Sequence, residues 1–100
     1  MGKRLDFTIE APRKSTAIAR VGSRIVGMAT AWNDSDGRWL ILRSEVRPKY
    51  RRRGIATAMY RSIEATSGVQ LNPAISLSDD AFEFWKAYRP QAVAHDLRHQ

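Results

Sequence analysis

The chain has 100 residues, 43% of them apolar and 27% charged, with no cysteine and a formal net charge of +7. Its size implies one domain, residues 1–100, with a modest core, and the absence of cysteine excludes disulfides, thiolate metal sites and a cysteine nucleophile. No apolar run approaches the roughly 20 residues of a membrane span, and the N-terminus has no apolar signal stretch, so a cytoplasmic domain without membrane partners is expected.

Leu5, Phe7 and Ile9 alternate with Asp6, Thr8 and Glu10, which predicts a half-buried strand over Leu5–Glu10. Ala11–Ser15 contains Pro12 and reads as a connection. Thr16–Val21 and Arg24–Trp32 are two strands joined at Gly22-Ser23, the composition of a tight hairpin. Asn33–Gly37 is a turn by composition, and Trp39–Val46 is the next strand of a meander. Pro48 closes it, since proline cannot donate to a ladder.

From Ile55 the apolar period changes to that of a helix, with Ile55, Ala56, Met59, Tyr60 and Ile63 on one face and Gly68 at its end. Ala74–Leu77 is a short candidate strand. Ser78 then caps a helix whose first turn carries Asp79 and Asp80, and Arg89-Pro90 stops it. Residues 91–100 read as a terminal strand or a tail. Strands, helix, short strand, helix make an α+β domain on a mainly antiparallel twisted sheet.

The positive charge is concentrated. Residues 43–53 hold six basic side chains against Glu45 alone, a local +5, which leaves +2 for the other 89 residues. This basic loop lies between a strand and a helix. The first N–H groups of a helix lack intrahelical partners and sit at the positive end of its dipole, so the junction suits phosphate. Gly54 and the small Ala56 let a ligand approach the backbone. Arg51, Arg52 and Arg53 add charge-assisted donors.

Arg51-x-x-Gly54-x-Ala56, preceded by Val46-x-Pro48-x-Tyr50, resembles motif A of the GNAT N-acetyltransferase family. Gly22–Gly27 resembles that family's hairpin, and Ala81–Lys86 resembles its later helix. The resemblance runs over residues 16–90 and implies a GNAT-like acyl-coenzyme-A-binding core with acetyl-CoA as cofactor. It implies that Val46 meets the pantetheine arm, and that Arg51, Arg52, Arg53, Gly54, Ile55, Ala56 and Thr57 hold the pyrophosphate. The implied activity is acetyl transfer to a primary amine. For the acid/base work, Glu45, Tyr88 and Tyr50 are the candidates.

Two departures from the family bear on catalysis. The tyrosine that commonly protonates the leaving thiolate falls at Trp85, and the family's two helices between its first strands are replaced by Pro12–Ser15. The acceptor side is then reduced, or supplied by a partner. A catalytically inactive acyl-CoA-binding domain is the first alternative. A basic nucleic-acid-binding module is the second, opposed by the localised charge and by aromatics at helical core positions. His95 and His99, four apart, read as tail residues without a third ligand, so no metal site is expected. Open sheet edges make a homodimer a natural assembly.

Overall fold

The computed structural model describes residues 6–74 and 77–99. Five strands lie side by side in chain order: β1 (Thr8–Arg13), β2 (Thr16–Val21), β3 (Arg24–Asn33), β4 (Trp39–Val46) and β5 (Leu71–Asn72). The first four form an antiparallel meander, and β5 pairs parallel with the start of β4 through Trp39↔Leu71 and Leu40↔Asn72. Two helices, α1 (Ile55–Ser67) and α2 (Asp79–Tyr88), complete the α+β architecture expected from the sequence.

Helix α1 lies on a floor of small residues. Ala17 and Ala19 of β2 and Ala29 and Ala31 of β3 are each no more than 3% exposed. Short side chains on the sheet allow the helix to sit close, and Ile55, Met59, Tyr60 and Ile63 fill the space between. The closest approach is at Gly27. A Cβ there would stand 3.3 Å from Ile55 and 3.4 Å from Met59, so a larger residue would push the first turn of α1 off the sheet.

Helix α2 packs against α1 through aromatic rings. The Tyr60 ring lies 5.1 Å from Phe84 edge-on and 5.5 Å from Trp85, within the range of favourable aromatic pairs. Ser78 caps α2 as anticipated, its Oγ accepting from the Ala81 N–H at 3.1 Å.

Three expectations are corrected. The first strand is shifted, running to Arg13, while Leu5 lies outside the described residues. Glu10↔Ile18 is followed by Arg13↔Thr16, so Ala11 and Pro12 together oppose Ala17 in a bulge. An edge strand with a bulge accepts proline because no ladder donor is needed there. The short strand among the described residues is Leu71–Asn72; of the expected strand Ala74–Leu77, Ala74 and Leu77 are not in a strand, and Ile75 and Ser76 lie outside the described residues. The C-terminal segment, expected as a strand or a tail, forms 3-10 turns at Pro90–Val93 and Leu97–His99, with Val93 buried in the core. Arg98 holds this segment to α2 by pairing with Asp79 and Asp96.

A polar clasp joins the far ends of both helices to β5. Glu64 of α1 accepts from the Leu71 N–H at 2.8 Å, from Arg89 at 2.8 Å and from the Tyr88 hydroxyl. Arg89 also donates to the Leu71 carbonyl at 2.6 Å. Burial opposes ionisation of Glu64, but the bonds from Tyr88, Leu71 and Arg89 with the Arg89 charge outweigh it and hold the carboxyl below its usual value.

Glu64→Ala leaves three donors unpaired, so urea unfolding at neutral pH should show a loss of about 1–3 kcal/mol. A carboxyl lowered in the folded state stabilises above its ordinary value of 4.5 and ceases to do so as pH falls through the lower folded value. The difference between Glu64→Ala and wild type should therefore shrink in acid.

Candidate functional site

The site is built where β4 ends and α1 begins. The Arg47 N–H donates to the Val26 carbonyl at 2.8 Å, and Arg47 Nε donates to the Ile25 carbonyl at 3.1 Å, which ties the strand end to β3. Pro48–Tyr50 then makes a single 3-10 turn. Arg51 Nε reaches back to the Val46 carbonyl at 2.9 Å, so this arginine shapes the loop as well as charging it.

Arg52 and Gly54 both adopt positive φ, 61° and 81°. These two reversals bring the chain into α1 with Gly54 as a cap that has no side chain. The first helical bond runs from the Ala58 N–H to the Gly54 carbonyl, so Ile55, Ala56 and Thr57 precede the ladder. No acidic residue stands in the first turn. The positive end of the helix therefore has no carboxylate of its own first turn to offset it.

A cleft of about 570 Å³ opens here, lined by Val46, Tyr50, Arg51, Arg52, Gly54, Ile55, Ala56 and Thr57, with Asp80, Glu83 and Phe84 of α2 as its far wall. Seven of the eight residues expected to bind cofactor thus share one cleft. Arg53 is the exception; it is exposed on the loop and does not line the cleft. Ile55 is 2% exposed, so its side chain anchors the helix and its backbone is the part left to a ligand. Among the described residues, no carboxylate lies within ion-pair distance of Arg51, Arg52 or Arg53, whereas Arg20, Arg38, Arg43, Arg89 and Arg98 are all paired.

A second cleft, about 500 Å³, lies against the ends of β3 and β4 and includes Ile25, Gly27, Met28, Glu45 and Arg47. It shares Val46 and Arg51 with the first, so the two adjoin at the same strand end. Glu45 is in this cleft, largely exposed and paired with Arg43 at 3.2 Å.

The candidate acid/base residues separate. Glu45 reaches a cleft and Tyr50 lines the first one, but Tyr88 lines neither. Its hydroxyl is committed to Glu64, and burial, together with the Glu64 hydrogen bond and charge, raises its phenol far above the usual value. Trp85 is 3% exposed and belongs to the core. The α2 wall of Asp80, Glu83 and Phe84 was not among the expected site residues. Their spacing on one helical turn is the only signal the sequence carries for it, and a solvated face gives the same pattern.

The acetyltransferase (GNAT) family model matches residues 2–89. No curated protein matches significantly. Among solved structures, AAC(6')-Iy in complex with the bisubstrate analogue CoA-S-monomethyl-acetylneamine is similar, with 18% identity and a TM-score of 0.63, over 74% of this chain and 59% of that one. The diaminobutyrate acetyltransferase EctA from Paenibacillus lautus, in complex with L-2,4-diaminobutyric acid and coenzyme A, is 21% identical, with a TM-score of 0.61 over 78% of this chain and 49% of its own. A GNAT-family acetyltransferase from Streptococcus pneumoniae TIGR4 is 19% identical, with a TM-score of 0.59 over 72% and 56%. At these identities the likeness is one of fold, and the chain spans about half to three-fifths of each neighbour's length.

Nothing lies within 4 Å of a Cβ built on Gly54, so Gly54→Ala adds backbone strain alone. Thermal or urea unfolding should report a loss of about 1–2 kcal/mol.

Proposed function

The chain belongs to the acetyltransferase (GNAT) family, and from that premise we propose that it binds acetyl-CoA in the cleft at the start of α1 and transfers the acetyl group to a primary amine. One observation carries the reading. The start of α1, free of its own acidic residues, shares one cleft with Val46 and with Arg51 and Arg52, which have no ion-pair partner among the described residues. A polyanion with a neutral arm fits this layout.

In this reading the N–H groups of Ile55, Ala56 and Thr57 meet the pyrophosphate, with Arg52 on the wall and Arg53 reaching in from outside. Val46 meets the pantetheine arm. The amine enters from the second cleft, where Glu45 accepts its proton as nitrogen attacks the thioester carbonyl. The tetrahedral intermediate collapses by breaking the C–S bond, and the coenzyme thiolate takes a proton from water. A thiolate leaves a tetrahedral carbon readily without prior protonation, so the commitment of Tyr88 to Glu64 does not stop the reaction. Most of the acceleration then comes from positioning.

A second reading, an acyl-CoA-binding domain without turnover, is favoured by two features. Trp85 stands buried where the resemblance puts a tyrosine, and Tyr88 is held in the clasp. Release of free thiol from acetyl-CoA across a panel of primary amines separates the two. Stoichiometric cofactor binding with no thiol release for any amine would favour the second.

Arg52→Ala combined with Arg53→Ala should weaken acetyl-CoA binding by calorimetry about tenfold or more, from the loss of charged hydrogen bonds. The remaining binding should be less sensitive to salt. Tyr88→Phe should lower the melting temperature and leave cofactor affinity unchanged. Glu45→Gln should reduce turnover without weakening cofactor binding.

A further inference from the structure

The second cleft holds charge that acetyl transfer does not use. Arg47 and Arg51 both line it. Each is fixed at one corner, Arg47 Nε by the Ile25 carbonyl at 3.1 Å and Arg51 Nε by the Val46 carbonyl at 2.9 Å. Among the described residues, the terminal nitrogens of these two guanidinium groups make no hydrogen bond and no ion pair. A surface arginine normally gives up rotamer freedom to hold a ligand, which offsets most of what an exposed ion pair contributes. These two are held before any ligand arrives, so less freedom is left to lose.

The rest of the cleft selects what they hold. Among the described residues that line it, the one acid is Glu45, and Arg43 offsets it at 3.2 Å. Arg47 and Arg51 therefore leave two uncompensated positive charges. An acceptor amine near neutral pH arrives as a cation, and a plain ammonium is opposed by this cleft. An amine that also carries an anionic group is drawn to it. A carboxylate takes two parallel bonds from a guanidinium fork. Phosphate needs more donors, and Ile55, Ala56 and Thr57 at the helix start line the other cleft and not this one. The remaining walls include the apolar Ile25, Val26, Met28 and Pro48. At about 500 Å³ the space is that of a small-molecule site with a few fixed polar groups.

We propose that the acceptor is an amino acid, a primary amine bearing a carboxylate, with the carboxylate held by Arg47 and Arg51 and the amine beside Glu45. Glu45 and Arg47 stand two residues apart, roughly 7 Å along an extended chain, so an amine and a carboxylate separated by a few bonds reach both. Arg47 is the specificity residue, since Arg51 also borders the cofactor cleft. That the bound amine is acetylated rests on the proposed function; that the cleft selects amino acids does not.

Amide NMR of the whole chain tests the binding, with glycine, leucine, methionine, lysine and β-alanine each titrated against its carboxamide, with and without coenzyme A. Thiol release from acetyl-CoA is followed on the same pairs. The expected result is saturable shifts at Ile25, Met28, Glu45 and Arg47 for at least one amino acid, with its carboxamide binding about tenfold more weakly or worse. Arg47→Gln should bring that acid-to-amide ratio close to one while acetyl-CoA still binds, and Arg47→Lys should restore part of it. If Arg47→Gln fails to fold, the ratio in wild type decides alone. Carboxamides or plain alkylamines that bind as well as the acids overturn the proposal. So does a ratio that a folded Arg47→Gln leaves unchanged, or the absence of saturable shifts for every amino acid of the panel. Phosphoethanolamine binding more tightly than all of them overturns it as well, as does coenzyme A alone filling the second cleft and excluding them. Amino acids that bind there with no thiol release, or with no binding of acetyl-CoA, would leave the site standing and count against the proposed function.

Discussion

The contact between the first turn of α1 and β3 sets the position of everything that follows. Gly27 has no side chain, and Ile55 and Met59 fill the space where one would be. With the alanines of β2 and β3 beneath it, the helix lies close on the sheet, and its N-terminus is delivered to the end of β4. The loop between them must then turn sharply, which it does through positive φ at Arg52 and Gly54. A helix held further out would still have free N–H groups, but they would not face the strand end across a cleft. Packing thus comes first, and the geometry of the candidate site follows from it.

The far ends of the helices answer to a different constraint. Glu64, Tyr88, Arg89 and Leu71 form one satisfied polar group, and this pins the C-terminal ends of α1 and α2 to β5. Because β5 pairs with Trp39 and Leu40, the clasp sits at the opposite end of β4 from the cleft. The clasp and the candidate site therefore occupy separate ends of the molecule. Tyr88 belongs to the first of these, and its phenolic proton serves the fold.

Much of this was legible in the chain itself. The Gly22-Ser23 hairpin between β2 and β3, the 3.6-residue period from Ile55 and the Ser78 cap are local signals, and local structure obeys them. The basic loop was also legible, because a phosphate cradle needs a strand end, a glycine and a helix start in immediate succession. What escaped is non-local. Pro12 looks like a breaker until its strand is known to be an edge with a bulge. The pairing of Leu71 depends on Glu64 and Arg89, far away in sequence. The Asp80, Glu83 and Phe84 wall is visible only once α2 is folded back across the loop, and Tyr88 looked free because its partner lies 24 residues away.

The account rests on the claim that the β4–α1 junction is a coenzyme A site and not merely a charged loop. Titration of the isotope-labelled protein with acetyl-CoA, followed by amide NMR, tests it most directly, with adenosine diphosphate and a short DNA duplex as controls. The account predicts saturable shifts concentrated from Val46 to Thr57, extending to Asp80, Glu83 and Phe84, with weaker shifts for the diphosphate and none of this pattern for the duplex. No shifts at millimolar acetyl-CoA, or shifts of the arginine loop with the duplex alone, would contradict it.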